Sequence, residues 1–170
     1  MRLGPIVAAT VLATLAAACN KSSTASAPPP AANEAAAPEV PAPIMTPDDA
    51  KKALAGLPAP YNTADLDNGE AKFALCKSCH TLGQGGANMT GPNLYGIVGS
   101  KAGEGRNDFK FSDALKAANI TWTPDKLDAW ITKPAALVPG TKMTFAGLND
   151  PKDRTDVIAY LMVQTGYKPK

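Results

Sequence analysis

The sequence holds one histidine, His80, and only three cysteines, Cys19, Cys76 and Cys79. Beyond Cys76 and Cys79 there is no second Cys or His pair in the sequence to complete a four-ligand zinc site. The net charge is only +2, too small for a nucleic-acid binder, whose affinity rests on clustered cations. The uncharged run at the N-terminus, Leu3 to Ala18, is shorter than the roughly 20 residues of a spanning helix. No strand-like alternation of useful length is present, nor any internal repeat. The 45% hydrophobic content over 170 residues still suffices for one domain with a core.

The prolines and glycines are unevenly spread, and they divide the chain. Residues 1–18 read as an export signal: Arg2 is the charged start, Leu3 to Leu15 the apolar stretch, and Ala16, Ala17 and Ala18 the small residues at a cleavage site. Residues 19–47 begin at Cys19 and continue as an Ala/Pro-rich linker, "APPPAANEAAAPEVPAPI", with no period that would bury a face. Fully extended it would reach on the order of 85 Å. The composition becomes globular from about Asp48, so residues 48–170 are the folded domain.

Helical signals dominate that domain. Asp65 to Cys79 fits one helix with Cys76 and Cys79 on a reactive face. "TWTPDKLDAWI" has Thr123 as N-cap and Pro124 at the first helical position, with Leu127, Trp130 and Ile131 at helical spacing. "NDPKDRTDVIAYLMVQTG" repeats the pattern: Asp150 caps, Pro151 follows, Val157, Ile158, Leu161 and Met162 form a stripe, and Gly166 ends it. A short helix is predicted near Ser112 to Ala118. The expectation is an all-α domain whose glycine-rich loops need something else to fill the centre.

Cys76-Lys77-Ser78-Cys79-His80 supplies it. Two thiols on one helical turn reach the two vinyl groups of a single porphyrin, and the next residue turns its imidazole toward the iron. A thioredoxin-type pair would need a βαβ context, which is missing. The cofactor expected is one covalently bound haem c. With no second histidine, bis-histidine ligation is excluded. The soft candidates for the far side are Met45, Met89, Met143 and Met162. Met45 falls in the linker and Met162 on the apolar stripe of a helix, as core. Met89 follows His80 by a short route. Met143, in the loop "VPGTKMTFAGL", is favoured over it.

At "CKSCHTL", "TGPNLYGIVG", "ITWTPDKLDAWITKP" and "VPGTKMTFAGL" the chain resembles class I cytochrome c, in its mitochondrial and alphaproteobacterial branch. The resemblance implies the class I fold, several helices and long loops around one haem. It implies His80 and Met143 as iron ligands, Pro92 as the carbonyl that orients the His80 ring, and Trp122 and Thr141 at the propionates. It also implies Gly69 and Phe73 packing on Val157 and Tyr160. Trp130, matching a family tyrosine near the methionine sulfur, is read as a core aromatic. Ser100 stands where the family has an arginine beside a buried propionate, with Arg106 a candidate substitute. Phe111 replaces a propionate-binding tyrosine, and Leu115 a polar residue on the methionine side.

Cys19 is left over. It resembles the lipidated cysteine of a bacterial lipoprotein. An uncleaved signal-anchor and a soluble periplasmic product are the alternatives. His/Met ligation leaves the iron no open position, so the expected role is single-electron carriage between respiratory complexes on the periplasmic side of a bacterial envelope. That role belongs to a monomer, not an enzyme, that meets redox partner proteins and holds the membrane through its N-terminus. The rivals are a haem peroxidase or similar enzyme and a gas-binding sensor. Lys77, Lys133 and Lys142 are the expected small positive docking patch, since Ala135 and Ala136 replace common family lysines.

Overall fold

The computed structural model describes residues 45–169. The export signal, Cys19 and nearly all of the linker lie outside these residues. The order is α1 (Pro47–Ala55), a 3-10 turn (Tyr61–Thr63), α2 (Leu66–Phe73), α3 (Asp113–Ala117), α4 (Pro124–Thr132), α5 (Pro134–Leu137) and α6 (Pro151–Gln164). The described residues contain no strand, as expected of an all-α domain. One isolated antiparallel bridge joins Lys101 to Thr121.

Local chemistry starts each main helix. The Asp65 carboxylate accepts from the Asn68 N–H at 3.0 Å, opening α2. Thr123 accepts from Lys126 N–H at the start of α4, and Asp150 from Lys152 and Asp153 at the start of α6. Prolines occupy the first helical turn of α1, α4, α5 and α6, where a missing N–H costs nothing. Gly166 leaves α6 at φ +76°, the left-handed stop that glycine accepts without strain.

Two features depart from the expected helices. α2 ends at Phe73, short of the expected Cys79. Beyond it the backbone tightens into successive turns: Cys76 N–H bonds Phe73 O at 2.7 Å and Cys79 N–H bonds Cys76 O at 3.0 Å. These i→i+3 bonds interrupt the α-helical ladder, of which Lys77 N–H to Phe73 O and His80 N–H to Cys76 O remain. The second departure is α1. Thr46 caps it, so helical order begins at Pro47, inside the stretch read as linker. Met45 packs against the core rather than trailing free.

The centre of the molecule is the crossing of α2 on α6. Gly69 permits it: a Cβ there would lie 2.4 Å from the Asp156 carbonyl oxygen. The Phe73 and Tyr160 rings meet at 5.6 Å, and Ile158 and Met162 are wholly buried. Burying side chains of that size stabilises the fold by about 2 kcal/mol each. Asp156, beside Gly69's contact, is nearly inaccessible. It accepts from the Asp65 N–H at 3.0 Å, the Asn68 amide at 2.7 Å and Lys152 Nζ at 2.6 Å. Arg154 ties α4 to α6, pairing with Asp128 at 2.8 Å and donating to the Leu148 and Asn149 carbonyls. α1 lays Ala50 on this frame, and Leu57 and Tyr61 join the same core.

Candidate haem site

One cavity of about 340 Å³ opens between these elements. Its walls are mainly apolar: Phe73, Ile97, Leu115, Trp130, Val157 and Leu161 all face it. The turn that follows α2 puts Cys76, Cys79 and His80 on the same wall. His80 N–H bonds Cys76 O at 3.0 Å, so the motif is one closed turn and not a disordered loop.

The His80 ring is held on two sides. Its Nδ1 lies 2.7 Å from the Pro92 carbonyl. A carbonyl only accepts, so Nδ1 carries the hydrogen and Nε2 keeps its lone pair for a metal. Behind the ring sits Gly91, where a Cβ would come within 2.3 Å of His80 Cε1. Only glycine lets the imidazole lie there. Burial pushes the His80 pKa down, against the opposing Pro92 contact. The ring is therefore neutral, as a ligand must be.

Burial also pushes the Cys76 thiol up, to about 11, with the neighbouring Cys79 adding to the shift. A thiol held neutral is a poor metal ligand, since metals are bound by the thiolate. The described residues also contain no cluster of three His, Cys, Asp or Glu side chains placed to hold a metal ion. The donor set and the mainly apolar walls thus fit a porphyrin bound through carbon–sulfur bonds.

Of the four methionines weighed, Met143 faces the cavity. Met162 is core, Met45 packs beneath α1, and Met89 is 48% exposed. The Met143 N–H donates to Thr141 Oγ1 at 3.2 Å, and Thr141 lines the cavity too. Trp122 reaches the cavity wall through a short ladder: Trp122 N–H bonds Ser100 O at 2.8 Å and Gly99 N–H bonds Trp122 O at 2.9 Å. Its ring lies 5.1 Å from that of Trp130. Phe111 and Leu115 also line the cavity, with Phe111 edge-on to Phe109 at 4.9 Å. Gly91, under the imidazole, and Asn88, bonded to the Asn93 N–H at 2.9 Å, were not singled out from sequence. Their roles depend on where the chain returns and have no local pattern.

An all-α shell folded around one apolar cavity, with a C-x-x-C-H turn in its wall, defines a c-type haem protein. Comparison with known proteins takes this further. The Cytochrome c family profile matches residues 66–164. A "Cytochrome c homolog" of Bradyrhizobium diazoefficiens is 50% identical over 99 residues, 58% of this chain and 54% of that protein. A "Cytochrome c2" of Rhodomicrobium vannielii is 46% identical over 106 residues, 62% of this chain and 84% of that protein. The solved structure of "cytochrome cH from Methylobacterium extorquens" superposes with a TM-score of 0.55 at 49% identity, covering 58% of this chain and 97% of that one. The chain belongs to the cytochrome c family. Its cofactor is one covalently attached haem c, and it is an electron-transfer protein, not an enzyme.

Proposed function

We propose that this is a membrane-tethered periplasmic carrier that passes single electrons between respiratory complexes, for example from a quinol-oxidising complex to a terminal oxidase. The observation that carries the reading is that His80 and Met143 line one cavity together with Cys76 and Cys79. In this reading Cys76 and Cys79 hold the haem, His80 and Met143 hold its iron, Pro92 orients His80, and Trp122 and Thr141 meet the propionates. Bound in this way, the haem iron supplies a one-electron change of oxidation state. Methionine ligation raises its potential.

A peroxidase or a gas sensor needs a vacant position, which two protein ligands deny. Reduced protein mixed with carbon monoxide at neutral pH should therefore keep its spectrum. The oxidised protein should show the long-wavelength sulfur-to-iron band. A high-spin spectrum with ready carbon monoxide binding would overturn the carrier reading.

The tether rests on Cys19, left over behind "LAAA" once Cys76 and Cys79 hold the haem, and on the linker that follows. Among the described residues no helix is long and apolar enough to cross a membrane. A short flexible tether confines a carrier near its partner at roughly millimolar effective concentration. This supplements the modest steering available from Lys77, Lys133 and Lys142, all exposed. Cys19→Ser should release the protein from membranes into the periplasmic fraction with haem content unchanged. Continued membrane association would replace the lipidated cysteine with an uncleaved signal helix as the anchor.

A further inference from the structure

The cavity that accepts the haem is apolar over most of its wall, yet haem carries two carboxylates. Four cations reach this cavity: Lys101, Arg106, Lys110 and Lys142. The three lysines are exposed, and Arg106 alone is half-buried. Lys101 also faces Glu104 at 3.9 Å, whereas Arg106 has no carboxylate beside it among the described ion pairs.

The placement of Arg106 is unusual and costly. Its φ is +97°, followed by Asn107 at +47° and Asp108 at +63°. Asparagine and aspartate tolerate this region, and arginine rarely enters it. Strain of this kind persists only where surrounding contacts over-determine it, and it concentrates at functional sites. The contacts are present. Asn88 Nδ2 donates to the carbonyls of Arg106 at 2.6 Å and Asn107 at 3.0 Å. The Arg106 guanidinium donates to the carbonyls of Tyr95 and Gly96 and, at 2.8 Å, to Ser100 Oγ. A guanidinium has five donors, so this scaffold leaves N–H groups over for another acceptor at the cavity.

Ser100 is held in its turn. Its hydroxyl donates to the Ile97 carbonyl at 2.8 Å, and its own carbonyl accepts from Trp122. Arg106 is thereby fixed from both sides, by the chain segment before the bridge and by the loop of Asn88.

We propose that Arg106 is the carboxylate-binding cation of the haem cavity, and that Asn88 is a positioning residue that holds it there through the backbone of residues 106 and 107. Its ligand is a haem propionate, so the inference rests on the haem-carrier reading above. The guanidinium delivers a positive charge to that edge from the Gly103–Asp108 loop, while position 100 contributes only a hydroxyl.

The readout is the midpoint potential of the haem-loaded full-length protein. Covalent haem content and the low-spin spectrum are recorded first. Their loss in the wild type would undo the carrier reading, separately from this one. Removing a positive charge near the iron and leaving a carboxylate unpaired favours the oxidised, more positive iron. Arg106→Gln is therefore expected to lower the midpoint. Arg106→Lys should recover part of the fall, since charge returns without the planar fork. Ser100→Arg added to Arg106→Gln should restore it, because position 100 reaches the same point. A midpoint unchanged by Arg106→Gln overturns the proposal. So does a fall that neither the lysine nor the added arginine repairs, which is what a purely structural loop residue would give. Asn88→Ala, which leaves every cavity-lining residue in place, serves if Arg106→Gln does not take up haem. It should lower the midpoint by a smaller amount, and no shift overturns the positioning role.

Discussion

Met143→Ala is expected to keep its covalently attached haem and lose the sulfur ligand completely. The oxidised protein should lose the long-wavelength sulfur-to-iron band and become high-spin, or recruit a lysine. Lys142 is adjacent and lines the same cavity. The midpoint should fall, because thioether ligation is what raises it, and peroxidase activity should appear at the opened position. The reason is positional. Met143 is the methionine that faces the cavity, its N–H fixed on Thr141, while Met89 points outward. Met89→Ala is the matched control and should leave the spectrum untouched. An unchanged band in Met143→Ala, with loss in Met89→Ala, would reverse the ligand assignment.

Asp156→Ala should be the most destabilising change away from the haem. The Asp156 side chain is 2% exposed and receives the Asp65 N–H, the Asn68 amide and the Lys152 ammonium. Truncation leaves the first two donors without their acceptor at the α2–α6 crossing. At about 1–3 kcal/mol for each stranded donor, the loss should be about 3 kcal/mol. This corresponds to a fall of roughly 10 °C in Tm. The penalty should depend on pH in a defined sense. Burial raises the Asp156 pKa, but the hydrogen bonds from Lys152, Asn68 and the Asp65 N–H outweigh it and hold the carboxyl below its ordinary value. A depressed carboxylate contributes stability that is complete above the unfolded value of about 3.9 and disappears as pH falls through the folded one. The gap between wild type and Asp156→Ala should therefore be constant near neutrality and close below about pH 4. Denaturant titrations of the haem-loaded proteins at several pH values would measure it. A neutral-pH loss under about 1 kcal/mol would mean the network is dispensable.

The helix starts at Thr123 and Asp150 were legible because capping is local: one side chain, a nearby N–H, and a proline. The apolar stripes of α4 and α6 were legible because a 3.6-residue period needs no knowledge of the partner surface. α1 was not. Thr46-Pro47-Asp48 carries a helix start, but it follows an Ala/Pro-rich tract, and α1 is secured by packing on α6 far along the chain. The end of α2 was misplaced for a similar reason. The residues from Ala74 to Cys79 contain no helix breaker, and the tight turns that replace the helix bring the His80 ring above Gly91.

By itself, then, the sequence determined the covalent chemistry. The spacing C-x-x-C-H is short-range geometry, and a single histidine removes bis-histidine ligation by counting alone. The tertiary structure decided everything that depends on where a distant segment comes to lie. It turned Met143 inward and Met89 outward, set Gly69 against the Asp156 carbonyl, and brought Arg106 beside Ser100 from across a strained loop. Side-chain type is a property of one position, whereas burial and partner choice are properties of pairs. Those pairs exist only once the chain has closed on itself.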